Sequence, residues 1–421
     1  MTTPPASLRP APTVALIGAA VLLGGIVSTP SAAFAQEQKD LYEENTWAID
    51  QIGAEAAWET TKGEGVTVAV ADTGIAEEHP FLDDKNILDG ESFMGDEEPN
   101  GRVDGDGHGT GVSAAVLYAA PEATILPVRI GSSSINTGFS IGATKIDFAG
   151  IRWAADNGAD VIVIPWVEVS QAEPKQEFLG AVQYAIDQDV VVIAGGGNDP
   201  SLEKVPNPAY FPGVIGVSGT DKNGDAWSMS TTGPEIVLAG PADAMLFPKP
   251  QVVDFGDEPL YFEAAGTSAT SGIVGGVAAL VRSAHPDLDA SNTIQRLIAT
   301  ADDGGAGRTE ALGFGLVDAD AAVNSSDVET VTENPLGYPL GEAGASSELP
   351  VEESAAPTDD TASEAAPEDQ AAESDDSAVG GLLPIIVAGA AVLLAVAGLV
   401  VWLVLRSRAK TRSRVQPWQP Y

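Results

Sequence analysis

The sequence predicts an α/β fold: a mainly parallel sheet covered by helices on both faces, in three layers, plus one C-terminal transmembrane helix. Two patterns predict the sheet. Short Val- and Ile-rich runs recur along the chain, and stretches of helical periodicity separate them. A third pattern predicts the membrane helix, because residues 381–405 are uncharged throughout and long enough to span a bilayer.

Along the chain, Thr13 to Val27 is apolar and runs into Ser31-Ala32-Ala33-Phe34-Ala35, which reads as a signal peptide over 1–35 with an Ala-x-Ala exit. Residues 36–46 read as a short N-terminal extension, too brief for a folded pro-domain. The globular body is expected over 47–323. Its buried strands are Val66 to Ala71, Ile125 to Ile130, Val161 to Trp166, Val190 to Ala194, Val214 to Ser218 and Glu235 to Ala239. Phe148 to Asn157 and Phe178 to Asp187 read as crossover helices. Residues 324–380, rich in Ala, Ser, Pro, Asp and Glu, read as a solvated acidic linker expected to hold much of the negative charge. Arg406, Arg408, Lys410, Arg412 and Arg414 follow the apolar run, so 406–421 is expected to be a basic cytoplasmic tail. The implied localisation is the cell membrane, single-pass, with the body extracytoplasmic.

Composition narrows the chemistry. The 421 residues carry 61 Asp and Glu against 20 Lys and Arg, a formal charge of −41, which argues against nucleic acid as a partner. There is no cysteine, so disulfides and thiolate metal sites are excluded. Histidine chemistry is confined to His79, His108 and His285.

In parallel sheets of this kind, chemistry gathers at the carboxyl ends of the strands, and three strand ends carry suggestive residues. The first is Asp72-Thr73-Gly74. The second stretch, Asp106-Gly107-His108-Gly109-Thr110, opens a helix of small residues. The third, Gly195-Gly196-Gly197-Asn198, runs off a strand; its glycines would leave backbone open to a ligand, and its Asn amide can donate into a pocket. Later in the chain, Gly266-Thr267-Ser268-Ala269 opens another small-residue helix, where unpaired N–H groups and the helix dipole favour an anion. Each stretch alone reads equally well as a turn, a cap or a loop. Together they supply an acyl-transfer site: a Ser268 nucleophile, a His108 base, an Asp72 acceptor for the other imidazole nitrogen, and Asn198 with the Ser268 N–H as oxyanion donors. The order is Asp, His, Ser, with separations of 36 and 160 residues.

These motifs resemble those of the subtilisin-like serine proteases. Asp72-Thr73-Gly74, Gly107-His108-Gly109-Thr110 and Gly266-Thr267-Ser268 are similar to the family's three catalytic motifs, and Asn198 falls at its oxyanion asparagine. His79-Pro80 and Gly313 to Ala319 are similar to further family segments, and His79 and His285 are expected to be structural. The resemblance implies a subtilisin-like three-layer fold and a serine endopeptidase. It also implies a substrate-pairing edge at Pro165, Trp166 and Val167, and Gly195 and Gly196 are counted with it as substrate-binding candidates. The layout of signal peptide, protease, linker, single span and basic tail resembles the mycosins, membrane-anchored proteases of type VII secretion. That likeness implies cleavage of exported proteins, a bilayer contact through the span and a secretion membrane complex as partner.

The chain departs from the family pattern in three ways. Mycosin cysteine pairs are absent, Gly272 stands at the Pro position after the nucleophile, and Pro165-Trp166-Val167 replaces Ser-x-Gly. Pro165 lacks an N–H and Val167 adds bulk, so narrow specificity is expected; a weakly active scaffold within a secretion complex is the alternative. No cofactor is called for. Structural calcium stays open, with Asp83, Asp84, Asp104 and Asp106 as conceivable ligands that read more simply as solvated loop acids.

Overall fold

The computed structural model describes residues 39–95, 100–105, 107–134, 138–140, 145–168, 176–250 and 260–337. The expected signal peptide, transmembrane helix and basic tail lie outside the described residues. Among the described residues no helix is long and apolar enough to cross a membrane.

The elements run α1 (Leu41–Glu44), α2 (Thr46–Gln51), α3 (Ala54–Ala57), β1 (Thr67–Asp72), β2 (Asn86–Ile87), β3 (Glu91–Ser92), α4 (His108–Ala119) and β4 (Thr124–Arg129). Then come β5 (Ser132–Ser134), β6 (Gly138–Ser140), α5 (Lys145–Asp156), β7 (Val161–Ile164), α6 (Gln176–Asp187), β8 (Val191–Gly195), β9 (Ile215–Thr220) and β10 (Ile236–Pro241). The series closes with β11 (Met245–Pro248), β12 (Tyr261–Ala264), α7 (Thr267–Ala284), α8 (Ala290–Ala299) and α9 (Ala319–Asn324). The main sheet has the order β10-β9-β8-β7-β1-β4-β2, with β3 also on β4, and its pairings are parallel. The predicted α/β class and parallel sheet are thus present. One boundary differs: β7 stops at Ile164, so Pro165 and Trp166 lie beyond the strand.

Alternation along the central strands divides the core in two. Val68, Val70, Val161 and Val163 point to the face covered by α4 and α7. Ala69, Ala71, Ile162 and Ile164 point to the face covered by α5 and α6. Strands buried on both sides need apolar residues at every position, which is why they read as continuous Val/Ile runs.

Small residues let α4 and α7 touch nearly backbone to backbone. A Cβ on Gly272 would lie 2.7 Å from Ala115 Cβ and from the Val112 carbonyl, and one on Gly276 would lie 2.4 Å from the Val116 carbonyl. The glycine that replaces the family's proline therefore has a packing reason. This contact fixes the two helices whose N-termini carry His108 and Ser268.

Both ends of the body reach further than the sequence suggested. Residues 39–46 are an integral part of it. Asn45 is fully buried, and its side chain bonds the Leu246 N–H and carbonyl at 2.9 and 2.8 Å. Tyr42 sits edge-on against Trp58 and Tyr118. At the other end, the linker expected from residue 324 starts later, because residues 325–337 pack on the body. Leu336 is 2 % exposed, its carbonyl accepts the Gly213 N–H at 2.8 Å, and Asn292 bonds both the N–H and the carbonyl of Val331. The stretch was misread because one buried leucine and backbone bonds to distant residues leave no periodic signal. A chain ending at Asn324 is expected to melt at least ~3 °C below one ending at Gly337, since burying one leucine contributes about 1.5–3 kcal/mol. Equal melting temperatures would show that 325–337 adds nothing.

By count most of the acid excess lies in the body, as 39–337 carry 48 Asp and Glu against 14 Lys and Arg.

Candidate active site

Asp72 ends β1 at the middle of the sheet and is fully buried. Its carboxylate accepts the Thr73 N–H at 2.6 Å and lies 2.9 and 2.8 Å, through its two oxygens, from His108 Nδ1. His108 is the first residue of α4, and its side chain is 30 % exposed. Gly107 before it has φ 97°, which only glycine adopts without strain. The imidazole thus has Nδ1–H directed at a buried carboxylate and its outer edge toward solvent. That arrangement fixes the tautomer in which Nε2 can take a proton.

Ser268 is the second residue of α7, half-buried. The turn before it depends on Gly266, whose φ is 152° and whose Cα backs onto the Asn198 amide. The Ser268 hydroxyl donates to the Pro165 carbonyl at 2.8 Å, which ties the nucleophile helix to the end of β7.

Asn198 follows β8 on the exposed surface. Its Oδ1 accepts both the Thr267 N–H and the Thr267 hydroxyl at 2.9 Å, and Thr267 Oγ1 in turn accepts the Gly197 N–H at 3.1 Å. With the oxygen so held, the NH2 end is presented outward, and no described residue takes its hydrogens. The Ser268 N–H is also without an acceptor among the described residues. N–H donors left without acceptors in this way are able to stabilise a negatively charged oxygen. Thr267 was not singled out in the sequence, although it directly precedes the serine.

The expected substrate edge needs correction. Trp166 is 3 % exposed. It stacks on Phe178 at 5.5 Å and donates its indole N–H to the Ala71 carbonyl at 3.0 Å. Its ring and its one polar atom are both satisfied in the core, so it lines no substrate channel. Gly195 and Gly196 are buried as well. The Gly196 N–H bonds the Val217 carbonyl at 2.8 Å, and a Cβ there would lie 2.7 Å from Ile236 Cδ1. These glycines admit neighbouring protein and leave no backbone open to a ligand. Pro165 meets Ser268 through its carbonyl, Val167 is half-buried, and Glu168 donates its N–H to the Asn207 carbonyl at 2.8 Å.

His79 and His285 are structural. His79 Nδ1 accepts the Phe81 N–H at 3.1 Å while Nε2 meets the Leu260 carbonyl at 2.9 Å. Burial holds its pKa below the ordinary histidine value. His285 Nε2 meets the Val323 carbonyl at 2.8 Å. Of the conceivable calcium ligands, Asp106 lies outside the described residues. Asp84 is paired with Lys85 at 3.2 Å. Asp104 is engaged with N–H and O–H donors and is thereby removed from the ligand set. No cluster of three or more acidic or His side chains suited to a metal occurs among the described residues.

Asp72, His108 and Ser268 thus stand in this order at the end of a strand and at the starts of two helices. The sequence matches the subtilase family over residues 63–315. The chain belongs to that family. It is similar to subtilisin DY of Bacillus licheniformis, 32 % identical over 273 residues, which covers 62 % of this chain and 92 % of that protein. It is similar to mycosin-4 of Mycobacterium tuberculosis, 30 % identical over 331 residues, covering 68 % and 70 %. Among solved structures, the MycP3 protease from the type VII (ESX-3) secretion system superposes with a TM-score of 0.56 at 27 % identity, covering 66 % of this chain and 88 % of that one. The body is therefore a subtilisin-like α/β domain, and the chain is a subtilisin-like serine protease related to the mycosins.

Proposed function

We propose that this subtilase is a membrane-anchored, extracytoplasmic serine endopeptidase with narrow specificity that acts on exported proteins in association with type VII secretion. The observation that carries the catalytic assignment is the pairing of His108 Nδ1 with buried Asp72, at 2.8 Å, in a domain whose Ser268 lies beside two unpaired donors. On substrate binding the Ser268 hydroxyl turns from the Pro165 carbonyl toward His108. Nε2 accepts its proton as Oγ attacks the scissile carbonyl, and Asp72 stabilises the imidazolium. Asn198 Nδ2 and the Ser268 N–H receive the oxyanion. His108 then gives the proton to the leaving amine, and water repeats the sequence on the acyl-enzyme.

The topology rests on the sequence: a cleavable leader over 1–35, the protease body, an acidic linker that now starts after Gly337 and runs to residue 380, a span over 381–405 and a basic cytoplasmic tail over 406–421. The type VII association is supported by the likeness to mycosin-4 and to the MycP3 protease. Narrow specificity is supported by Val167, half-buried beside the Pro165 carbonyl that meets Ser268, and by the bond that engages the following Glu168 N–H.

Wild type and Val167→Gly should be compared on a diverse peptide library together with a fluorophosphonate label. Wild type is expected to label and to cleave few sequences, and the variant to cleave several times more of them. Broad cleavage by wild type, unchanged in the variant, would remove Val167 as a filter. The engagement of the Ser268 hydroxyl by Pro165 favours one other reading, a weakly active scaffold, and that reading predicts a wild type that does not label.

A further inference from the structure

Asp104 stands four residues before His108 and is 4 % exposed. Among the described residues, four donors converge on its carboxylate. Oδ1 accepts the Thr73 hydroxyl at 3.0 Å and the Gly107 N–H at 2.9 Å. Oδ2 accepts the Thr110 N–H at 2.9 Å and the Thr110 hydroxyl at 2.6 Å. Those two hydroxyls carry the network on. Thr73 Oγ1 accepts the Gly109 N–H at 2.9 Å, and Thr110 Oγ1 accepts the Ala76 N–H at 2.9 Å.

The residues joined are the ones that flank the proposed acid–base pair. Thr73 and Ala76 follow Asp72; Gly107, Gly109 and Thr110 surround His108. First-turn N–H groups of α4, which a helix leaves without intrahelical acceptors, are here taken by side chains from outside the helix. A buried carboxylate with several donors is costly to disturb, because each donor left unpaired loses its hydration without replacement.

We propose that Asp104 is a positioning residue for the hydrolytic reaction: it locks the loop after β1 to the start of α4, so that His108 Nδ1 is held on Asp72 while Nε2 faces Ser268. The proposal rests on the triad assigned above. None of these four bonds involves a reacting atom. The charged groups nearby are Asp72 and Arg129, which are register partners across β1 and β4, with Arg129 Nε donating to the Thr73 carbonyl at 3.1 Å. The negative charge of Asp104 favours the imidazolium that forms in the transition state.

The test uses the full-length protein in membranes. Asp104→Asn is expected to lower kcat by on the order of 10- to 100-fold with KM nearly unchanged, since misplacement of a catalytic base is felt in turnover. The acid limb of the kcat/KM profile should move to lower pH, because one negative charge beside the imidazole is gone. Thr73→Val removes a link of the same network without changing charge, so kcat should fall while the acid limb stays in place. A purely structural Asp104 would lower the melting temperature and leave kcat per fluorophosphonate-labelled site and the acid limb as in wild type, which overturns the proposal. Should Asp104→Asn fail to fold, Thr73→Val decides: reduced kcat supports the lock, and unchanged kcat overturns it. A wild type that neither labels nor cleaves overturns the triad and this proposal together, whereas an active wild type with unaltered variants overturns this proposal alone.

Discussion

Ser268→Ala is expected to reduce peptide hydrolysis by on the order of 10⁴-fold or more and to end labelling by a fluorophosphonate. Among the described residues, neither neighbouring hydroxyl, that of Thr267 or that of Ser271, is placed to take over the role. Thr267 is turned away, its Oγ1 donating to Asn198 and accepting from Gly197, and Ser271 donates back to the Ser268 carbonyl at 2.6 Å. The loss should appear in kcat with the fold intact. The hydroxyl removed makes one part-buried hydrogen bond, to the Pro165 carbonyl, worth about 1 kcal/mol of stability. The residual rate reports the oxyanion donors, which the variant retains. A variant that still labels would sink the nucleophile assignment.

Asn198→Ala is expected to lower kcat by roughly 10²- to 10³-fold while KM changes little, because a donor aimed at the oxyanion acts on charge that develops only in the transition state. The alanine variant also deprives Thr267 of its acceptor, so a second variant separates the two effects. Asn198→Asp keeps an oxygen for the Thr267 N–H and hydroxyl but removes the NH2 and adds a negative charge. It should fold like wild type and be at least as slow as the alanine variant. If Asn198 only shapes the loop, the aspartate variant turns over normally, and the oxyanion role is lost.

These variants probe residues whose types were legible early and whose surroundings were not. The sequence by itself determined the parallel sheet, because strands buried on both faces must be apolar at every position, and runs such as Val161 to Ile164 admit few other readings. It also offered Asp72, His108, Asn198 and Ser268 as the candidate set, since acyl transfer calls for those residue types, only three histidines were available, and their order resembles that of a known family. Tertiary structure decided what depends on partners distant along the chain. Trp166 beside Pro165 reads as a substrate wall until Phe178 and the Ala71 carbonyl claim both its ring and its N–H. Gly195 and Gly196 read as open backbone until β9 and the start of α7 close on them. Asp104 reads as a solvated loop acid until two threonines, 31 residues before it and 6 after it, bring their hydroxyls to its carboxylate. Residues 325–337 read as linker until Leu336 finds its place against the body. A side chain's type states which interactions it is able to make. Which of them it makes depends on the neighbours that folding brings within hydrogen-bond or van der Waals reach, and those neighbours are not adjacent in the chain.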